Sequence, residues 1–335
     1  MATTVAVLGA GSWGTALAVH LSRVGHDVRL WARDQALAED MAARRANVVY
    51  LPDVTLPDTV FVTHDLERAV DDAALVICAV PSHGCRAVLR RAAPFLAVQS
   101  TIVSTTKGLE ADTHLRVSQV IEEELGPRHA VVVLSGPSFA GEVARQLPTA
   151  VLAASVDSRA TEIVQAEFRG PFFRLYGSDD VVGVEIGGAM KNVIAIAAGV
   201  VEGLGLGHNA LAALITRGLA EITRLACAAG GRRDTLAGLS GLGDLVLTCT
   251  GTLSRNRHVG AELARGRKLS DVVAGMKMVA EGVQTTGAVL ALGARYRVEL
   301  PITTQMAEVL SGRLDVRSAV ETLMLRRQRA EAETQ

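Results

Sequence analysis

The chain has few cysteines, and their arrangement suits neither a metal site nor a disulfide framework. The four cysteines among 335 residues, Cys78, Cys85, Cys227 and Cys249, are scattered without a C-x-x-C pair. The nearest histidine, His83, does not complete a ligand set. We therefore expect no metal and no disulfides, which is typical of a protein from a reducing compartment.

An excess of charge of either sign is also missing. The 34 Lys and Arg residues against 35 Asp and Glu residues give a formal net charge of -1, and no polybasic run occurs. Proteins that bind nucleic acids usually carry a basic patch or stripe. We therefore expect no nucleic-acid partner.

The start of the sequence lacks the basic region and apolar core of a secretory signal, because a strand pattern interrupted by glycines begins at once. One later stretch, residues 181–201, is apolar enough to suggest a membrane span. It carries Glu185 and Lys191 near its middle and four glycines, however, and charges are costly in lipid. We therefore expect a buried helix there, and a cytoplasmic protein with no membrane-integral part.

Three glycines follow the first predicted strand with the spacing G-x-G-x-x-G. Gly9 permits the tight turn from strand to helix, Gly11 lets the backbone approach a pyrophosphate, and Gly14 lets helix and strand pack closely. The helix that follows directs its free N–H groups at the anion. Because the motif follows a strand and opens a helix, it predicts a Rossmann-type dinucleotide site rather than an ordinary glycine-rich turn.

Strand patterns then alternate with helical patterns as far as about residue 180, and long amphipathic helical segments replace them. A chain of 335 residues exceeds what one core usually supports, so two domains are expected. The predicted strands cover residues 4–8, 27–31, 60–63, 74–80, 101–104, 130–134 and 149–154. This alternation predicts an α/β fold with a mostly parallel, doubly wound sheet over residues 1–180 and a helical domain over residues 181–335.

The end of the second predicted strand lacks the carboxylate that usually holds the ribose 2′-OH of NAD. Ala32 stands there and Arg33 follows, and an arginine can pair with a 2′-phosphate or stack on adenine. The sequence therefore favours NADP and leaves NAD open. Asp34 could serve the ribose, but capping the next helix explains it equally well.

Two residues offer acid–base chemistry in the second half of the chain. Lys191 lies in an apolar helical pattern beside glycines, and burial of that kind lowers a lysine pKa and suits proton transfer. A structural lysine paired with Glu185 explains the same pattern. A glycine-rich bend presents Asp244 further along the chain.

Other polar residues are placed to bind an anion. Lys107 follows a predicted strand, where the carboxyl ends of parallel strands meet. Ser254, Arg255 and Asn256 stand at the start of a predicted helix, so their side chains and free N–H groups suit a phosphate.

Seven segments in order resemble bacterial NAD(P)-dependent sn-glycerol-3-phosphate dehydrogenases, and the resemblance spans nearly the whole chain. The segments are residues 9–18 (GAGSWGTALA), 47–52 (NVVYLP), 106–108 (TKG), 135–138 (SGPS), 191–192 (KN), 241–244 (GLGD) and 254–256 (SRN). It implies a Rossmann domain followed by an all-helical domain of the 6-phosphogluconate-dehydrogenase-like type. The implied reaction interconverts dihydroxyacetone phosphate and glycerol 3-phosphate, which supplies phospholipid synthesis, with NADP or NAD as cofactor. A homodimer is a candidate assembly.

The resemblance also implies site residues, with Lys191 as the proton donor and acceptor and Asp244 as its catalytic partner. The implied cofactor-binding residues are Gly9, Gly11, Ser12, Trp13, Gly14, Arg33, Tyr50, Lys107, Ala140, Arg255, Val279 and Glu281. The implied substrate-binding residues are Lys107, Gly136, Ser138, Lys191, Asp244, Ser254, Arg255 and Asn256. The pair Ala32-Arg33 departs from the two basic residues that members often carry, which leaves the degree of NADP preference open.

Two rival functions fit part of this pattern. A related NAD(P)-dependent hydroxy-acid or sugar-acid dehydrogenase would share both domains, but it would not need the cluster at residues 254–256. A non-catalytic nucleotide sensor would keep the three glycines without needing Lys191 or Asp244.

Overall fold

The computed structural model of the chain describes residues 2–328 and residue 330, and this part contains ten strands and sixteen α-helices. The strands are β1 (Thr4–Leu8), β2 (Asp27–Trp31), β3 (Ala46–Asn47), β4 (Leu51–Thr55), β5 (Val60–Thr63), β6 (Leu75–Cys78), β7 (Thr101–Ser104), β8 (Val131–Ser135), β9 (Thr149–Ala154) and β10 (Phe173–Ser178). The helices are α1 (Ser12–Arg23), α2 (Gln35–Arg44), α3 (Leu66–Val70), α4 (Ser82–Ala92), α5 (Val117–Leu125), α6 (Ala140–Ala144), α7 (Ser158–Glu167), α8 (Val181–Gly203), α9 (Gly207–Ala228), α10 (Arg233–Ala237), α11 (Asp244–Thr250), α12 (Arg255–Ala264), α13 (Leu269–Ala274), α14 (Glu281–Tyr296), α15 (Pro301–Leu310) and α16 (Val316–Met324).

Eight strands form one sheet in the order β10-β9-β8-β7-β6-β1-β2-β5. All neighbours in it are parallel except β8 and β9, which are antiparallel. The predicted doubly wound sheet is therefore confirmed. Chain order reverses between β1 and β6, and ligands of such sheets bind outside the carboxyl ends of the strands at that point.

The sheet is buried on both faces because successive side chains of a strand point to opposite sides. Val5 and Val7 of β1 pack into the apolar cluster that includes α1, α2, α6 and α7. Ala6 and Leu8 pack into the cluster on the other face, with α3, α4 and α5. The central strands therefore consist of continuous apolar runs, which made them recognisable in the sequence.

Two features of this domain were not predicted. Strands β3 and β4 form a separate antiparallel pair, which the short, irregular strand β3 hides in the sequence. Strand β10 is absent from the predicted strands, because Gly177 and Ser178 are poor strand formers. It lies at the edge of the sheet, where pairing with β9 alone is enough to hold it in place.

The helical domain is built around α8, which is buried along most of its length. In the described part of the chain, α8 is the one helix long and apolar enough to cross a membrane, and 89% of its apolar window is buried by surrounding protein. A Cβ atom on Gly199 would lie 1.9 Å from the Arg257 carbonyl oxygen, and one on Gly260 would lie 1.9 Å from the Ile196 carbonyl oxygen. The backbones of α8 and α12 therefore touch.

The domain boundary that we propose at residue 180 falls between β10 and α8. The Asp180 side chain accepts a hydrogen bond of 2.8 Å from the Gly183 N–H and caps α8. Residues 329 and 331–335 of the proposed helical domain lie outside the described residues.

The three glycines of the nucleotide motif have separate structural causes. Gly9 has φ +113°, and a Cβ atom there would lie 2.7 Å from the Ala79 carbonyl oxygen. On Gly14, a Cβ atom would lie 1.9 Å from the Gly9 carbonyl oxygen, because α1 starts directly against the turn. No atom lies within 4 Å of the Cβ position on Gly11, so that position faces open space.

Alanine substitution should separate these causes. Gly14→Ala forces backbone atoms apart and should lower the free energy of unfolding by about 3 kcal/mol. Gly11→Ala should leave stability nearly unchanged but weaken NADPH binding, since its methyl group enters the space that a pyrophosphate would use. Thermal unfolding and NADPH fluorescence titration measure both effects.

A matched control is Gly287 of α14, which has no atom within 4 Å of its Cβ position. Gly287→Ala should raise stability by up to about 1 kcal/mol through helix propensity. Equal stability losses in the Gly11 and Gly14 variants would contradict the distinction.

Candidate active site

Lys107 reaches from the loop after β7 across the carboxyl end of the sheet. Its Nζ atom donates to the Gly136 carbonyl oxygen at 2.7 Å and lies 3.4 Å from the Ser138 Oγ atom. Ser138 in turn donates to the same Gly136 carbonyl at 2.9 Å. Gly136 has φ +134°, which lets the loop after β8 fold toward Lys107. The structure thus brings together three of the predicted substrate-binding residues.

Asp244 joins this loop cluster to the helical domain. One carboxylate oxygen accepts from Lys107 Nζ at 2.8 Å, and the other accepts from Lys191 Nζ at 2.6 Å. Lys191 also donates to the Thr248 Oγ atom at 3.0 Å. The structural alternative for Lys191, a pair with Glu185, is wrong, because Glu185 pairs with Arg116 instead.

Lys191 is almost completely enclosed by protein, and this has a consequence for its protonation. The pKa of Lys191 is lowered to about 8, because burial, and to a smaller extent the nearby Lys107 ammonium group, lower it more than Asp244 raises it. A lysine with a pKa near neutral pH can both give and take a proton in a catalytic cycle. Lys191 is therefore buried, as the apolar helical pattern predicts.

Asp244 owes its position to an unusual local backbone. The glycine-rich stretch Leu239–Gly243 forms one wide helical turn, in which the Gly243 N–H bonds the Gly238 carbonyl oxygen at 3.1 Å. Asp244 then begins α11, and a wide turn of this type often marks a functional site. Thr248, one turn along α11, was missed because nothing in the sequence distinguishes it from a structural threonine.

Asn192, the neighbour of Lys191, connects the loop of Lys107 with the starts of α12 and α14. We call the region around these residues, Lys191 and Asp244 the cleft. Its amide donates to the Lys107 carbonyl oxygen at 3.0 Å, and its side-chain oxygen accepts from the Asn256 amide at 2.9 Å. The Asn256 side-chain oxygen accepts from the Gly282 N–H at 3.0 Å. Asn256 is thus fixed between α8 and the start of α14.

The predicted helix start at residues 254–256 is confirmed. Ser254 is the N-cap of α12 and accepts from the Arg257 N–H at 3.3 Å, and Arg255 stands exposed at the first helical position. Glu281 begins α14 and lies near enough to Arg255 for their charges to interact. Burial raises the pKa of the Glu281 carboxyl group, and the charge of Arg255 opposes that rise.

The glycine turn follows β1 and lies at the same carboxyl edge of the sheet as the Lys107 loop. Gly11 is the N-cap of α1, and no side chain caps this helix end, which leaves its N–H groups free for an anion. Trp13 carries a buried indole N–H without a partner among the described residues. The Asn47 amide bonds the Ala10 carbonyl oxygen at 2.9 Å, while its side-chain oxygen accepts from the Tyr50 N–H at 3.1 Å. Tyr50 is thereby held beside the glycine turn.

The end of β2 shows how the two candidate ribose-binding residues differ. The Asp34 side chain accepts from the Leu37 N–H at 2.8 Å and caps α2, whereas Arg33 is exposed beside it. The contacts that the structure describes do not link Arg33, Tyr50, Ala140 or Val279 to the two lysines. Ala140 begins α6, and Val279, which is 38% exposed, precedes α14. In the described part of the chain no group of three His, Cys, Asp or Glu residues could hold a metal ion.

Comparison with known proteins settles the family. The model for the N-terminus of NAD-dependent glycerol-3-phosphate dehydrogenase matches residues 4–161, and the model for its C-terminus matches residues 180–321. The chain belongs to this family.

Individual members of the family are similar to this chain along almost their whole length. A glycerol-3-phosphate dehydrogenase [NAD(P)+] from Koribacter versatilis is 54% identical over 326 residues, which cover 96% of this chain and 97% of the relative. The crystal structure of the enzyme from Coxiella burnetii is 41% identical and superposes with a TM-score of 0.94, covering 97% of this chain and 99% of that one. A ketopantoate reductase from Ralstonia eutropha, 18% identical with a TM-score of 0.61 over 95% of this chain and 100% of that one, shares the fold alone.

Arg33 should decide how strongly this family member prefers NADP. If its guanidinium group contacts a 2′-phosphate, Arg33→Ala should weaken NADPH binding by about 1.5 to 3 kcal/mol, the usual value for a charged hydrogen bond, and NADH binding much less. Fluorescence titration with both cofactors measures this difference. Equal weakening would indicate stacking on adenine instead, and no change for either cofactor would place the adenosine elsewhere.

Proposed function

We infer that this cleft carries out the reaction of the family, the NAD(P)-dependent interconversion of dihydroxyacetone phosphate and sn-glycerol 3-phosphate, and so supplies glycerol 3-phosphate for phospholipid synthesis. The observation that supports the inference most directly is Asp244, whose carboxylate is shared by a lysine from each half of the chain. A nucleotide sensor would need no buried lysine of this kind.

The glycine turn is the proposed binding site of the nicotinamide dinucleotide. Uncapped N–H groups of α1 and the open space at Gly11 fit a pyrophosphate. Arg33 would hold the adenosine end, with Ser12, Trp13 and Tyr50 around the turn. Ala140, Val279 and Glu281 would lie along the rest of the cofactor. When bound, the reduced cofactor would supply a hydride to C2 of dihydroxyacetone phosphate, and the oxidised cofactor would accept one from C2 of glycerol 3-phosphate.

Lys191 is the proposed proton donor when dihydroxyacetone phosphate is reduced. Negative charge develops on the C2 oxygen as the hydride arrives, and an ammonium group within hydrogen-bond reach both stabilises it and supplies the proton. In the reverse direction neutral Lys191 takes the proton of the C2 hydroxyl. Asp244 and Thr248 hold the Lys191 amine in one orientation.

Lys107 is proposed to give the site a net positive charge. Lys107, Lys191 and Asp244 together carry one net positive charge when both amines are protonated, in a place that is largely shielded from solvent. Such a charge attracts an anionic substrate more strongly than it would in water. Gly136 and Ser138 hold Lys107 toward the substrate side of the loop.

The start of α12 is the proposed phosphate site. Ser254, Arg255 and Asn256 lie at its first turn, where backbone N–H groups and a guanidinium group can converge on one dianion. Asn256 is anchored to Asn192, the neighbour of Lys191, so a phosphate held here would place the C2 carbonyl near the proton donor. A hydroxy-acid dehydrogenase of the same fold would not need this arrangement.

We also propose that the enzyme is a cytoplasmic homodimer. The balanced charge of the chain argues against a nucleic-acid partner. Size-exclusion chromatography with light scattering tests the assembly.

The lowered pKa of Lys191 predicts opposite pH profiles for the two directions. Reduction needs the ammonium form, so kcat/KM for dihydroxyacetone phosphate should fall as pH rises through about 8. Oxidation needs the neutral amine, so kcat/KM for glycerol 3-phosphate should rise through the same pH. Lys191→Ala should lower kcat by about 10²-fold or more and remove this transition.

The exposed Lys268 provides the control, because Lys268→Ala removes an ammonium group of the same domain without touching the cleft. It should leave both profiles unchanged. A Lys191→Ala enzyme with near-normal turnover would return Lys191 to a structural role.

Arg255→Ala tests the phosphate site. Loss of one charged hydrogen bond should lower kcat/KM for dihydroxyacetone phosphate by about 10- to 10²-fold, and much less for unphosphorylated dihydroxyacetone. Steady-state kinetics with both substrates measures the difference.

The neighbouring Arg257 is a matched control for this substitution, since its guanidinium group pairs with Glu202 at 2.8 Å and bonds the Gly251 carbonyl oxygen at 3.3 Å. Arg257→Ala should not discriminate between the two substrates. Equal losses for both substrates in the Arg255 variant would show that Arg255 acts on the cofactor or the fold.

A further inference from the structure

One face of α8 runs along residues 107–118, the segment of the dinucleotide-binding domain that carries Lys107. Glu185, Gly188 and Asn192 lie on this face, since residues spaced three and four apart are neighbours on a helix. Asn192 bonds the Lys107 carbonyl oxygen at 3.0 Å, and a Cβ atom on Gly188 would lie 3.8 Å from the Lys107 Cγ atom. Lys107 therefore packs against the middle and one end of this face.

Glu185 holds the other end of the same segment. Its carboxylate accepts from the Ser118 N–H at 2.8 Å, from the Ser118 hydroxyl at 2.6 Å and from the Arg116 guanidinium group at 2.6 Å. The Glu185 side chain is 2% exposed. Removal of either the carboxylate or its donors is costly, because the remaining buried polar groups lose their hydrogen-bond partners.

The segment between Lys107 and Arg116 is short, and its two ends are joined by backbone contacts. The Glu110 N–H bonds the Leu115 carbonyl oxygen at 3.0 Å, and Leu109 pairs with Arg116 as an isolated β-bridge. Leu109 is buried in the apolar core of the helical domain, beside residues of α8. A displacement at Arg116 is therefore passed through the bridge to Leu109, two residues from Lys107.

We infer that Glu185 is a positioning residue for Lys107, which it fixes through Arg116, Ser118 and the bridge to Leu109. The inference rests on the proposed role of Lys107 in substrate binding. Lys107 must hold its Nζ atom toward both Gly136 and Asp244, and misplacement of a catalytic-site group by about 1 Å can cost up to about 10²-fold in rate. Glu185 itself lies outside the cleft and touches no proposed ligand position.

A double-mutant cycle tests this role. Glu185→Ala should lower kcat/KM for dihydroxyacetone phosphate by about tenfold or more. If Glu185 acts through Lys107, the double variant Glu185→Ala/Lys107→Ala should lie within about twofold of Lys107→Ala alone. Glu185→Gln keeps the volume and an oxygen that accepts from the Ser118 N–H, so it should recover much of the lost activity.

Glu221 is the control for loss of a buried carboxylate in the same domain. It accepts from the Ile302 N–H at 2.8 Å, the Thr303 N–H at 2.9 Å and the Thr303 hydroxyl at 2.6 Å, away from the cleft. Glu221→Ala should lower the unfolding temperature without changing kcat/KM.

The outcomes are distinguishable. Losses that multiply in the double variant, or a Glu185→Ala enzyme that is less stable but fully active, would overturn the positioning role alone. A Lys107→Ala enzyme with unchanged kcat/KM would contradict the proposed function of Lys107. If Glu185→Ala does not fold, the same cycle with Arg116→Ala, which removes one donor to Glu185, gives the answer, since its loss of activity should also vanish in the Lys107→Ala background.

Discussion

The shared carboxylate of Asp244 is the interaction on which the rest of the cleft depends. Each of its two oxygens is bonded to a different lysine, Lys107 from the sheet domain and Lys191 from α8. Two ammonium groups so close together would repel each other without it, and a buried carboxylate without cations would be equally unfavourable. The trio is therefore stable only when the two domains keep one relative position, so the same charges that serve catalysis also hold the cleft together.

Packing around α8 makes this arrangement possible. Gly187 lies against the Ser240 carbonyl oxygen and Gly188 against the Ser135 hydroxyl, so loops from both sides approach the helix backbone closely. Gly199 allows the same contact with α12 further along. A helix surrounded in this way is apolar on all sides, which is why its composition resembles that of a membrane span. Its buried lysine is tolerated because Asp244 and Thr248 satisfy the amine.

The sequence predicted what depends on local pattern and left open what depends on distant partners. Buried parallel strands, the glycine turn and the helix start at Ser254 have local causes, and all are present in the structure. The partner of Lys191 could not be predicted, because Glu185, in the same helix, and Asp244, 53 residues away, were both available carboxylates. Strand β10 and the hydrogen bond of the Thr248 hydroxyl were not predicted for the same reason, since both depend on tertiary contacts.

Two adjacent residues of α8, Lys191 and Asn192, position the proton donor and the proposed phosphate site relative to each other. Successive helix residues point about 100° apart, so Lys191 faces α11 while Asn192 faces Lys107 and Asn256. The proton donor and the anchor of the proposed phosphate site thus share one rigid turn of a buried helix. Binding energy gained at the phosphate can then orient the C2 carbonyl against Lys191 without a flexible connection between them, which is how remote binding contributes to rate. Because Asn192 also holds the Lys107 backbone, the same turn sets the distance between the two lysines that share Asp244.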